Sequence, residues 1–264
     1  MAPFLKDSTL YFLSNRRTNI LVTYMDQNEE LLYRIFRTPL KPDSTFGNPK
    51  RFAPPQQPRF NAGPLTFSAN GAKMIATHNL KNSYRQSKDD GENNLLGLFT
   101  AQKRDKGWKN YEQLNLDIPE GYSVGHPSLS ADGQLLFFVS DMKSGLGHTD
   151  IYVVRRTGGE WGEPENLGAH INTPGNELFP FIHPAGKLYF TSDGHDGSGG
   201  FDIYYTEWDT PETDPVLLPS PINTQHNDFS CFIANNEEWG YFASDRTGSD
   251  DIFEFRYPKI DCTN

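Results

Sequence analysis

Cysteine is scarce: 264 residues hold two, Cys231 and Cys262. No CxxC pair exists, which excludes a thiolate-based zinc site. The two thiols either pair in an oxidising compartment or stay apart, one buried and one in a frayed tail, and their spacing leaves both readings open. Long apolar runs are also missing, so no segment suits a bilayer-spanning helix. The start, MAPFLKDSTLYF, lacks the basic head and apolar centre of a signal peptide. That leaves a cytoplasmic chain or a domain cut from a longer one. The second is expected, because Met1 runs almost directly into a strand. Positive charge is in deficit, with 24 Lys and Arg against 34 Asp and Glu, a net charge of -10. Phosphate backbones repel such a surface, so nucleic acid is not an expected partner. Helical periodicity is absent over any long stretch. So are GxSxG, HExxH and Walker A motifs, and with them the chemistries those motifs carry.

What the chain does have is 23 Gly, 19 Pro and 13% aromatic residues. Aromatics favour strands while Gly and Pro punctuate turns, a mixture that predicts many short strands. The chain also repeats itself. GQLLFFVSDMKSGLGHTDIYVVRR from Gly133, GKLYFTSDGHDGSGGFDIYYTEW from Gly186 and EWGYFASDRTGSDDIFEFRYP from Glu238 share one plan. An apolar strand ends in Ser-Asp, a Gly-rich turn follows, and a second strand opens on Asp-Ile and an aromatic. The closing residues Asp141, Asp193 and Asp245 recur about every 52 residues, the length of one propeller blade. Blurred copies upstream, DSTLYFLSNRR with LLYRIFRTPL and GAKMIATHNL with NLLGLFTAQK, bring the number to five.

These copies predict an all-β, five-bladed β-propeller over residues 1–258, with 259–264 as a tail or linker. The expected blades are 1–57, 58–121, 122–175, 176–226 and 227–258, most of them four-stranded and antiparallel. In the third copy the strands are HPSLS, QLLFFVS, DIYVVRR and the segment from Trp161 to Leu167. The second of these is apolar on both faces, Leu136 and Phe138 one way and Leu135, Phe137 and Val139 the other. Such a strand needs cover on both sides, which stacked blades supply. A β-sandwich would not give a 52-residue repeat. The fifth copy shows no fourth strand after DIFEFRYP, so the last blade has three strands or the ring closes by other means.

Several groups carry potential chemistry. Asp193, Asp196, Ser198 and Asp202 resemble a calcium loop but lack the spacing and final Glu of an EF-hand; turn formation explains them better, and no metal or other cofactor is expected. Asp150, Asp202 and Asp251 begin third strands, where a carboxylate caps the preceding loop. Asn172 and Asn223 recur at the blade crossovers, followed by Asn176 and Asn227, and suit fixing the turn; Asn166 is a further residue of the repeat motif. His78, His148, His170, His195 and His226 all fall in predicted loops, without HxH or HxxxH spacing. A propeller glycosidase needs paired acids on inner strands. The clearest inner strands, near Ser128, Phe179 and Ser230, carry none, and Glu177 and Asp228 at their mouths are equivalent to each other, which favours a structural role. Loops over a rigid scaffold carry function, so Arg16, Arg17, His148, His195 and Arg246 are the contact candidates on the loop face.

The pattern SD, Gly-rich turn, DIY, W, P, NLG, INT, NE resembles the WD40-like PD40 repeats of TolB-type propellers. It is carried by Ser140-Asp141, Asp150-Ile151-Tyr152, Trp161, Pro164, Asn166-Leu167-Gly168, Ile171-Asn172-Thr173 and Asn176-Glu177, and again by Ser192-Asp193, Gly199-Gly200, Asp202-Ile203-Tyr204 and Ile222-Asn223-Thr224. The likeness is strong over 122–257 and blurred over 1–121. It is similar above all to the propellers of OmpA-family, PorE-like envelope proteins of the Bacteroidetes type IX secretion system. That resemblance implies a non-catalytic scaffold on the periplasmic side of the outer membrane, part of a longer lipoprotein-like chain. Its implied partners are other envelope or secretion-system proteins. Peptidoglycan or other glycans would be reached through domains outside this sequence. A glycan-binding or glycan-hydrolysing propeller is the alternative.

Overall fold

The structure, a computed structural model, describes residues 1–16, 32–52, 61–80, 95–105, 107–210 and 213–257. Its strands form five antiparallel sheets, and the described residues contain no helix. Blade 1 comprises β1 (Phe4–Lys6), β2 (Thr9–Ser14), β3 (Arg34–Pro39) and β4 (Lys50–Arg51). Blade 2 comprises β5 (Ala62–Phe67), β6 (Lys73–Asn79), β7 (Leu96–Arg104) and β8 (Gly107–Gln113). Blade 3 has β9 (Val124–Leu129), β10 (Leu135–Ser140) and β11 (Asp150–Thr157), with β12 (Glu160–Trp161) and β13 (Glu165–Asn166) sharing the outer position. Blade 4 has β14 (Glu177–Ile182), β15 (Lys187–Ser192), β16 (Asp202–Glu207) and β17 (Val216–Leu217). Among the described residues blade 5 has three: β18 (Asp228–Ile233), β19 (Trp239–Ser244) and β20 (Asp251–Arg256). The fold is a five-bladed β-propeller.

Two-sided apolar strands hold it together. In β10, Leu136 and Phe138 enter the cluster shared with blade 2, while Phe137 and Val139 enter the one shared with blade 4. In β15, Leu188 and Phe190 face blade 3 and Tyr189 faces blade 5. Phe137, Phe138 and Phe190 are wholly buried, and truncating such a ring costs about 3–5 kcal/mol. The ring closes by side-chain packing: Leu10, Phe12 and Phe36 of blade 1 meet Tyr241 of blade 5, and no strand is exchanged among the described residues.

Backbone bonds stitch the loop face. Glu177 N–H donates to Thr149 O (2.8 Å), and Asp228 N–H donates to Phe201 O (2.7 Å), each joining an inner strand to the preceding blade. The Gly-rich loops lie tight on this junction. A Cβ on Gly147 would come within 2.2 Å of Thr173 O, and one on Gly199 within 2.3 Å of His226 O, so close approach demands glycine at both equivalent positions.

Candidate functional site

The axis is narrow because of the inner strands. Bulges interrupt β5, β9, β14 and β18, and Ala2, His126, Phe179 and Ser230 adopt the left-handed region, with φ between 48° and 51°. Pro3, Pro127 and Pro180 follow the first three, and Pro64 lines the same space. Proline suits an innermost strand, whose axis-facing edge has no ladder partner. Together with Phe4, Phe179 and Phe181 these residues leave an axial cavity of about 30 Å³, roughly one water in size.

The bulge amides cross the seams between blades. His126 N–H donates to Thr77 Oγ1 (2.9 Å) and Ser230 N–H to Thr191 Oγ1 (3.0 Å). Blade 3 has Val139 at the threonine position, and there Phe179 N–H donates to His126 Nδ1 instead (3.3 Å), with the two rings stacked at 4.1 Å. His126 therefore keeps Nδ1 bare, and burial pushes its pKa down to about 4. The sequence pattern gave no sign of this residue's role.

The repeat's polar residues are turned inward. Asp141 Oδ1 accepts Ser123 N–H (2.7 Å), Asp193 accepts Asn176 N–H and its amide (2.6 and 2.9 Å), and Asp245 does the same for Asn227 (3.0 and 2.7 Å). Asp150 accepts Leu146 N–H, Gly147 N–H and the Asn166 amide (2.6, 3.0 and 2.7 Å). Asp202 accepts Ser198 N–H and Gly199 N–H (2.6 and 2.8 Å), while Asp251 takes the Thr247 and Ser249 hydroxyls. Asp193 and Asp202 thus serve different amides rather than converging, and the described residues hold no group of three His, Cys, Asp or Glu placed for a metal. Asn172 and Asn223 bond within their own crossovers, to Asn166 Oδ1 (2.9 Å) and Leu218 O (2.9 Å), and also reach further. Each pairs its amide with both backbone groups of a residue 21 or 20 positions back, Ile151 and Ile203, at 2.8–3.0 Å. Trp161 lies half-buried under the Arg156 guanidinium.

Glu177 and Asp228 are fully buried. Glu177 accepts Thr173 N–H and the Thr173 and Ser192 hydroxyls (2.8, 2.7 and 2.7 Å), and burial raises its pKa against those bonds. Asp228 accepts Thr224 N–H and hydroxyl (2.6 and 2.7 Å) and takes Arg246 as its counter-ion at 2.5 Å.

The loop-face candidates separate. Arg246 also donates to Pro221 O (2.9 Å) and Ile222 O (2.7 Å) and lies over Phe242 and Phe253, clamping blade 5 to blade 4. His195 Nε2 donates to Ile171 O (2.9 Å), the equivalent carbonyl one blade back. Arg16 bonds Ser14 Oγ (3.0 Å) and covers Phe12 and Phe36, yet remains exposed. His148 is exposed. Arg17 lies outside the described residues, as does Cys262; Cys231 is a buried free thiol beside the axis. His78 is not in a loop: it is a buried residue of β6, with its pKa lowered by burial to about 4. Its place in the repeat, where other blades have Ser, marks a strand end rather than a loop.

A groove of about 570 Å³ opens at the seam of blades 3 and 4. Gly194 stands where blade 5 has Arg246, and a Cβ there would collide with Thr173 Oγ1. No long side chain fills the slot; the His195 ring covers its floor beside Tyr204. The walls add Leu146, half exposed, the carboxylate of Asp196, and His170 facing Asp214 at 3.8 Å. Of the expected contact residues only His195 lines this groove, and Leu146, His170, Asp196 and Asp214 fall outside the repeat motif. Chemically the groove offers carboxylate acceptors, imidazoles and apolar patches, a surface suited to binding.

No protein-family model matches this chain, and no curated protein does either. Solved structures do. Over 98% of this chain and 94% of the other it is similar to an endo-arabinase from Bacteroides thetaiotaomicron, at 14% identity and TM-score 0.56. It is similar to a chain of a nidogen/laminin complex over 85% of this chain and 76% of that one, at 15% identity and TM-score 0.51. TolB from Acinetobacter baumannii is matched at 13% identity and TM-score 0.49 over 85% of this chain, which spans 46% of TolB. At these identities the likeness establishes the propeller fold.

Proposed function

We propose that this chain is a non-catalytic docking propeller of a PorE-like, outer-membrane-associated periplasmic protein, and that it binds another envelope or secretion-system protein through its loop face. The observation that carries this reading is the contrast between the groove at the blade 3–4 seam and the nearly closed axis. An axial hydrolase would need free acids and room for substrate. Here Glu177 and Asp228, the acids at the inner-strand mouths, are held by threonines, Ser192 and Arg246. The repeat's resemblance to type IX secretion propellers supplies the cellular setting.

The test is affinity enrichment from a Bacteroidetes envelope fraction with the purified domain as bait. A Leu146→Asp, Asp214→Lys copy serves as control, since neither residue belongs to an inter-blade clamp. Retention of a discrete set of envelope proteins that the control loses is the expected result. Retention or cleavage of cell-wall polysaccharide in place of protein would move the glycan reading to the front.

A further inference from the structure

The outer strand of every complete blade does two things. The residue that follows it donates to an equivalent residue near the start of the third strand: Phe52 N–H to Ile35 O (2.8 Å), Leu114 to Leu98 O (2.8 Å), Leu167 to Ile151 O (3.1 Å) and Leu218 to Ile203 O (3.0 Å). The same four side chains then enter the apolar cluster between their blade and the next.

Among the described residues blade 5 has neither feature. Ile252 is the equivalent acceptor, and β20 is the edge strand of the described sheet. The cluster at the seam with blade 1 has Ile252 on its border and, among the described residues, none from a fourth strand. Tyr257 N–H donates inward to Glu238 O. Antiparallel alternation therefore turns Phe253 and Phe255 towards β19 and the backbone groups of Ile252, Glu254 and Arg256 outward. A row of unpaired donors and acceptors is a template for an added strand. Exposed carboxylates of Asp250, Asp251 and Glu254 border this edge. They are offset in part by Arg256, bonded to Glu254 at 2.6 Å, and by the Met1 ammonium near Asp250 and Asp251.

We propose that the free edge of β20 docks an extended, basic segment of a partner protein, which becomes the fourth strand of blade 5 and sets a Leu or Phe against Ile252 at the seam with blade 1. The sister blades specify the occupant's form and the acidic border its charge. The surface is separate from the groove, so either reading can fail without the other.

The probe is a labelled peptide carrying residues 215–219 of this chain, PVLLP, between flanking lysines. Fluorescence anisotropy is expected to show saturable binding. Aspartate in place of the second leucine weakens it at least tenfold. Glu254→Pro in the protein does the same, because it removes an outward N–H and leaves the β19 ladder whole. In the complex, hydrogen exchange at the Ile252 and Glu254 amides slows at least tenfold. Thermal unfolding checks that the variant folds; if it does not, the Asp-containing peptide and the exchange data decide. Absence of saturable binding, protection elsewhere than at Ile252 and Glu254, or loss of binding in Leu146→Asp would overturn the proposal. So would a dimer in which a second copy protects the same amides.

Discussion

The seam between blades 3 and 4 and the seam between blades 4 and 5 use the same scaffold with different chemistry. At the 4–5 seam, Thr191 takes the inner bulge amide, and Arg246 gives a permanent charge to buried Asp228 and fills the outer slot. At the 3–4 seam, His126 takes the bulge amide, His195 reaches the carbonyl, and buried Glu177 has hydroxyls in place of a guanidinium. One seam is closed by a guanidinium. The other is held by histidines and hydroxyls and carries a groove. A candidate site arises where a repeat departs from itself, because the conforming positions are consumed in holding the ring.

The largest test of this contrast is removal of the two clamps. Arg246→Ala strands a buried carboxylate and is expected to cost about 3–5 kcal/mol in urea unfolding at pH 7. His195→Ala removes one hydrogen bond to a carbonyl and costs about 1 kcal/mol. Equal losses would abolish the distinction.

Acid comes next. His78 and His126 have folded pKa values of about 4, below the ordinary 6.5. The fold favours their neutral forms, so their contribution is complete above pH 6.5 and is lost as pH falls towards 4, about 3 kcal/mol for each. Glu177 acts the other way: its folded pKa is raised, so the native state takes up that proton first and gains stability as the pH falls. His126→Asn, which keeps an acceptor and tolerates positive φ, is expected to flatten the decline between pH 6.5 and 4 by about half. An unchanged profile would remove the axial histidine from the account.

Asn172→Ala and Asn223→Ala sharpen the comparison from the opposite side, since their environments match. Each leaves the N–H of a buried isoleucine unpaired, while its carbonyl keeps the outer-strand donor, and both are expected to lose about 1–3 kcal/mol, equal within error. A marked difference in unfolding midpoints would mean that the seams diverge beyond their clamps. Smallest of all is Leu146→Asp, half exposed at the groove. It shifts stability by no more than about 0.5 kcal/mol while removing retention of the groove's partner in the enrichment assay.

Much of the fold was legible because period and patterning are local properties. Two-sided apolar strands such as Leu135–Val139, spaced Ser-Asp pairs and Gly-rich turns imply stacked blades from one dimension alone. For the last blade the sequence left three strands and another form of closure both open, and the structure describes three. The candidate site was less legible. Arg246 and His195 stood out as loop-face contact candidates, but their carbonyl acceptors lie 24 or more residues away, and only the fold reveals that these side chains are engaged. Asn172 and Asn223 were recognised as recurrent, while the isoleucines they bind are distant in sequence.

The sequence by itself determined the repeat, the strand polarity and the number of blades, since each follows from residue type at fixed short spacing. Tertiary structure alone decided which polar groups are consumed and which remain free. Bringing Gly194 over Thr173 kept a side chain out of the slot, the bulges of four inner strands narrowed the axis, and the missing partner left Ile252 and Glu254 facing outward. These outcomes depend on contacts between residues far apart in the chain, which no local pattern records.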